Sequence, residues 1–300
     1  MLGAVFGDVA GSAYEFDNPK SKDYPLLRVH WNELKTSKPT DDTICTMAVL
    51  ESLLSGKMDF EKSLRRWGLK NLDAGYGSMY LEWLNDENKG PYNSWGNGSV
   101  MRTSACALLA ANDMEAMEWA EKQSIVTHNH PNAVHAAKAM VIAIRMAIKK
   151  ESKRYIRHMM SSIFGYDLSK NLEDLKSETK GRFDVSAGGT VRLALTAVLE
   201  AENFEEAIRN CIDLGGDTDT TAAVGGPVAE FLYGIPPEFK DQFMPLVPED
   251  MANLLDQEYK DPRALKTMYG TCDILIFEEP LFTSENRDLL TGNSRYLKTL

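Results

Sequence analysis

Apolar residues recur at helical spacing through most of this chain, and that pattern restricts its fold more than any other feature. The stretches TICTMAVLESLLSG (43–56), MEAMEWAEKQSIV (114–126), PNAVHAAKAMVIAIRMAIKK (131–150), GGTVRLALTAVLEA (188–201) and FEEAIRNCIDLG (204–215) each repeat an apolar face every three to four residues. Several carry end signals, with Pro131 at a first turn and Gly56 or Gly215 just past a last one. Alternating strand-like runs are nearly absent, DILIF (273–277) being the best and an ambiguous one. The fold class expected is all-α, a compact multi-helical bundle. The polar or glycine-rich segments 85–98 and 165–187 read as long loops inside one domain over residues 1–300, and the tail after about Pro262 is less periodic.

With 300 residues, 43% of them hydrophobic, the chain can bury a large core. A formal net charge of -11 argues against an extended nucleic-acid surface, which needs a basic footprint. No apolar run approaches the roughly 20 residues of a membrane helix, and the opening MLGAVFGDVAGSAYEF lacks a basic leader and carries Asp8. Cys45, Cys106, Cys211 and Cys272 are scattered without a CxxC, which suits buried thiols in a reducing cytoplasm.

Two short stretches pair acids at helix starts. KPTDDTICTM sets Thr40, Asp41 and Asp42 ahead of an apolar helix, and GGDTDTTAAVGG sets Asp217, Asp219 and Thr220 between glycine pairs. Asp and Thr there satisfy orphan amides and complement the helix dipole, so an ordinary cap explains TDDT by itself. A cap needs one such residue, however, and the glycines of GGDTDTT permit backbone shapes a cap does not require. Asp8 and Glu15 of GDVAGSAYEF form a third acidic element. If these stretches converge, repulsion among their carboxylates calls for a cation, and an oxygen-only donor set suits Mg²⁺ or Mn²⁺. Gly96 and Gly98 of SWGNGS would let backbone amides approach phosphate, with SVMRTSACALLA read as a helix starting behind them; a plain loop and cap is the alternative. Arg102 either binds phosphate or pairs with a core acid. Tyr92 and Trp95 either stack on a base or anchor the loop.

Taken in order, GAVFGDVAGSAYEF, PTDDTICTMAVLESLL, SWGNGSVMR, THNHP and FEEAIRNCIDLGGDTDTTAAVGGPVAEFLYGIP resemble the motifs of the ADP-ribosylglycohydrolase family across nearly the whole chain. The resemblance implies an orthogonal all-α bundle with a binuclear Mg²⁺ centre in a cleft. It further implies Thr40, Asp41, Asp42, Asp217, Asp219 and Thr220 as metal ligands, and catalysis by Glu15 together with Asp41 and Asp219. Ser94, Trp95, Gly96, Asn97, Gly98 and Ser99 would hold the diphosphate and distal ribose of ADP-ribose, and His128 would reach the same region, while His130 and His135 stay structural. The stretch from Asn85 to Asn93 has no counterpart of an adenine-stacking phenylalanine. The implied partner is an ADP-ribosylated substrate or ADP-ribose, cleaved at the glycosidic bond. The acceptor stays open among arginine, serine, O-acetyl-ADP-ribose and nucleobases. A metal-dependent nucleotide phosphohydrolase and a silent ADP-ribose binder are the alternatives.

Overall fold

The computed structural model describes residues 1–16, 19, 23–29 and 36–270. The candidate strand at 273–277 and Cys272 lie outside the described residues. Fifteen α-helices occur among the described residues: α1 (Leu2–Ser12), α2 (Asp41–Leu54), α3 (Phe60–Lys70), α4 (Ser78–Asn85), α5 (Ser104–Leu109), α6 (Asp113–Ser124), α7 (Pro131–Ile148), α8 (Lys153–Ser162), α9 (Leu172–Thr179), α10 (Ala187–Glu200), α11 (Phe204–Asp213), α12 (Thr218–Tyr233), α13 (Pro237–Phe243), α14 (Glu249–Lys260) and α15 (Pro262–Tyr269). The only extended pairing among the described residues is an isolated bridge between Gly96 and Ser186, so the all-α expectation holds. The five periodic stretches became α2, α6, α7, α10 and α11. Their starts are fixed by local chemistry: the side chains of Asn112, Ser186 and Asn203 each accept the amide three residues on, and Pro131 opens α7. Residues 165–187 are not wholly a loop, because Asn171 caps the short helix α9 within them.

The centre of the molecule is α12, whose first twelve residues, Thr218 to Ala229, are all buried. It packs against α1, α7, α10 and α11. Against α1 the approach is backbone to backbone. Gly3, Gly7 and Gly11 lie on one face of α1 at intervals of four, and a Cβ on any of them would overlap Gly226, Ala222 or the Thr218–Asp219 backbone. The hydroxyl of Thr218 closes the seam by donating to Gly11 O at 2.9 Å. This stripe has a functional consequence, because it places the end of α1, and with it Glu15, beside the start of α12.

The other face of α1 organises α2. Asp8 is fully buried, and its carboxylate accepts from the amides of Thr40 (2.9 Å) and Thr43 (3.1 Å), from Thr40 Oγ1 (2.6 Å) and from Thr43 Oγ1. Two of the orphan donors at the α2 amino terminus are thereby satisfied from another helix, while Thr40 Oγ1 accepts from Asp42 N at 3.3 Å. The starts of α2 and α12 are both anchored to α1, distant in the chain but adjacent in space.

Candidate active site

The two acidic helix starts meet. Thr220 Oγ1 at the start of α12 donates to Asp42 Oδ2 of α2 at 3.1 Å, across 178 residues of chain. Carboxylate oxygens of Asp8, Asp42 and Asp219 lie within 4.8 Å of one another, as do those of Glu15, Asp217 and Asp219. Asp219 belongs to both groups. Asp41 belongs to neither, yet it feels the charges of Asp8, Asp217 and Glu15 and donates its amide to Ala74 O at 2.9 Å.

Burial, reinforced by the neighbouring acids, pushes the Asp41 carboxyl up to about 8 and those of Asp42 and Asp219 well above the usual range. None of Asp8, Asp41, Asp42, Asp217 and Asp219 forms an ion pair with a lysine or arginine among the described residues. Asp42 Oδ1 is buried with no hydrogen-bond partner. A buried carboxylate oxygen left unpaired amid like charges fits a hard cation, which would supply both the missing partner and the missing charge. Asp8 fits that role less well, since its oxygens are already occupied by the α2 amides and hydroxyls.

Glu15, Asp41, Asp42, Asp217 and Asp219, but not Asp8, line a cavity of about 460 Å³ whose walls include Ser94, Gly96, Asn97, Gly98 and His128. Trp95 and Ser99 are not on those walls. Trp95 is about half exposed and turned outward, and Ser99 is fully buried, donating to Gly96 O and Ala133 O. Ser94 Oγ accepts from Gly96 N at 3.1 Å, shaping the turn. Asn97 ties the loop to the acids, its Nδ2 donating to Asp217 Oδ2 at 2.7 Å and Thr190 Oγ1 at 3.1 Å. The expected helix directly behind the glycines is replaced by a 3-10 turn over Asn97–Ser99, and α5 begins only at Ser104. Arg102 pairs with no acid among the described residues; it donates to Gln123 and Thr127.

His130 caps α7 and His135 meets the Phe164 carbonyl, so both are structural as expected. Tyr92 lines the cavity edge-on to His128, with ring centroids 5.7 Å apart. The sequence did not single out Phe16 and Phe183, which stack at 5.0 Å and 7° where both line the cavity beside Glu15. Both are substantially exposed, and Phe16 has φ 67°. Phe16 follows Glu15 directly, which was a usable signal; nothing near Phe183 distinguishes it. Cys45, Cys106 and Cys211 are buried, and burial pushes the Cys45 thiol up to about 11, which leaves it unreactive.

The sequence model of the ADP-ribosylglycohydrolase family matches residues 1–266. The chain is 27% identical over 277 residues to the ADP-ribosylarginine hydrolase Tri1 of Pseudomonas putida, covering 81% of this chain and 72% of that protein. It is 24% identical over 252 residues to the ADP-ribosyl-[dinitrogen reductase] glycohydrolase of Rhodospirillum rubrum, covering 78% and 84% respectively. Against human ADP-ribosylhydrolase ARH3 it is 21% identical over 313 residues, covering 78% and 84%. A solved structure described as an ADP-ribosylglycohydrolase-related protein complex superposes with a TM-score of 0.63 at 24% identity, over 90% of this chain and 96% of that one, and so shares the fold.

Proposed function

The chain belongs to the ADP-ribosylglycohydrolase family, and from that premise we propose that it hydrolyses the glycosidic bond between ADP-ribose and an acceptor, releasing ADP-ribose, with two Mg²⁺ ions, or Mn²⁺, as cofactor. The observation that carries this reading is the convergence of Glu15, Asp41, Asp42, Asp217 and Asp219, from three distant stretches, on one cavity shared with the Ser94–Gly98 loop.

Thr40, Asp41, Asp42, Asp217, Asp219 and Thr220 would hold the ions, consistent with the unpaired Asp42 Oδ1 and the oxygen-only donor set. When bound, such cations supply positive charge that keeps these carboxylates ionised and polarises hydroxyls of the distal ribose. Asp8 orients Thr40 through its hydrogen bonds, and Asn97 orients Asp217. Glu15 acts as general base. Water attacks the anomeric carbon and gives a proton to Glu15, while the bond to the acceptor breaks with its electron pair leaving on the acceptor, through an oxocarbenium-like state. The diphosphate rests against the backbone at Gly96 and Gly98, beside His128. The stacked Phe16 and Phe183 border the Glu15 end, where the acceptor enters.

The test is turnover of ADP-ribosylarginine, ADP-ribosylserine and O-acetyl-ADP-ribose with Mg²⁺, Mn²⁺ or EDTA, reading the products. Intact ADP-ribose plus freed acceptor, abolished by EDTA, is expected, and ADP-ribosylarginine is the first substrate to try because the Pseudomonas putida relative is named for it. AMP or phosphate as product would replace this reading with phosphohydrolase chemistry.

A further inference from the structure

Arg102 is fully buried in the cavity wall, and the hydrogen bonds its guanidinium makes go to neutral partners, leaving Nη1 without one. Nε donates to Gln123 Oε1 at 2.6 Å, and Nη2 donates to Gln123 O at 2.9 Å and to Thr127 Oγ1 at 2.8 Å. Thr127 Oγ1 in turn lies 2.8 Å from Nδ1 of His128. We propose that Arg102 and Thr127 are positioning residues that hold His128 as the tautomer with a bare Nδ1 and a protonated Nε2, so that Nε2–H is offered to an anionic oxygen of the ligand at the Ser94–Gly98 loop. This rests on the reading that the loop binds the diphosphate of ADP-ribose.

The assignment follows from counting protons. A guanidinium only donates, so Arg102 takes a lone pair of Thr127 Oγ1. Apart from Arg102 Nη2, the group that Thr127 Oγ1 meets is Nδ1 of His128. The one hydroxyl proton of Thr127 then goes to His128 Nδ1. In the opposite tautomer Nδ1–H would add a second donor to that oxygen and leave the buried hydroxyl proton without this acceptor. Burial, with the Arg102 charge second, holds His128 well below the usual histidine range, so the ring is neutral and its single proton sits on Nε2. That nitrogen lies against Gly98, where an added Cβ would come within 2.8 Å of it. Among the described residues no protein acceptor meets Nε2, and His128 lines the cavity. A fixed donor thus faces the loop with its own position set from behind by an uncompensated cation.

The experiment is nitrogen-15 NMR of histidine-labelled full chain, paired with calorimetry of ADP-ribose binding, on wild type, Thr127→Ser and the near-isosteric Thr127→Val. Wild-type His128 is expected as neutral Nε2–H at pH 7. Thr127→Ser keeps that signature and binds ADP-ribose within about twofold of wild type; Thr127→Val yields mixed tautomers and weakens binding about tenfold, raising KM with kcat little changed. A wild-type His128 that is charged, or protonated on Nδ1, overturns the proposal without any variant being needed. So does a folded Thr127→Val with unchanged tautomer or affinity. Failure of the wild type to bind ADP-ribose, with the Nε2–H signature present, sinks the ligand reading instead, and the proposed role of the donor with it.

Discussion

Asp219 is the residue on which both carboxylate groups depend, since it lies within reach of Asp8 and Asp42 on one side and of Glu15 and Asp217 on the other. Asp219→Asn keeps the shape of the side chain and removes its charge, so turnover should fall about 10²- to 10³-fold with the fold intact, as checked by initial rates at saturating Mg²⁺ and by circular dichroism. Glu15 lies outside the α2 and α12 starts, so Glu15→Gln should separate binding from chemistry. Its kcat should drop about 10²- to 10⁴-fold while calorimetry shows ADP-ribose binding largely retained. Asp and Thr in the two acidic stretches were legible in the sequence because capping chemistry is local and their excess over one cap residue could be counted. The roles of Asp8, Thr127 and Phe183 were not legible. Asp8 owes its place to amides 32 and 35 residues away, and Thr127 to a guanidinium 25 residues before it. Those partners are remote in sequence, so the motifs that contain Asp8 and Thr127 did not reveal them.

Helices with an apolar stripe and a capping residue were readable, and α2, α6, α7, α10 and α11 fell where their periodicity put them. The pairing of α1 with α12 was not, because it uses absent side chains in place of present ones. Glycine at Gly7 would ordinarily weaken a helix by about 1 kcal/mol against alanine. Here the obstacle to a Cβ is the Ala222 carbonyl, part of a buried backbone that cannot swing aside. Gly7→Ala should therefore destabilise by about 2 kcal/mol or more despite its better helix propensity, measured by urea denaturation. Gly188, in the first turn of α10, has open space where a Cβ would go. Gly188→Ala should change stability in the opposite direction, by about 0.5 kcal/mol. The pattern SVMRTSACALLA is helical on its face, but the chain forms a 3-10 turn over Asn97–Ser99, where Asn97 is held to Asp217, and α5 begins only at Ser104.

Across the whole molecule, the acid cluster joins three segments whose mutual repulsion the fold must withstand when no cation is bound. Folded-state pKa values of Asp41, Asp42 and Asp219 lie above the ordinary 3.8, with Asp41 at about 8. For a carboxyl raised in this way the native state binds more protons than the unfolded one between the two values. Its contribution to stability is fully present below about pH 4 and is lost as pH rises through the folded pKa. A net charge of -11 works in the same direction through long-range repulsion. Divalent cations reverse this, because they bind the ionised acids and compete with protons for them, so their affinity climbs with pH. Melting in EDTA should thus occur at progressively lower temperature from about pH 5 to about pH 8, while melting in excess Mg²⁺ should vary far less. The gap between the two curves should widen to about 5 °C or more at the alkaline end, since free ligand at a hundred times its Kd adds about 2.7 kcal/mol. Thermal scans of the wild type and of Asp219→Asn across that range decide it. A gap that stays constant with pH, or that the variant shows in full, would mean the cations stabilise the chain somewhere other than between α2 and α12.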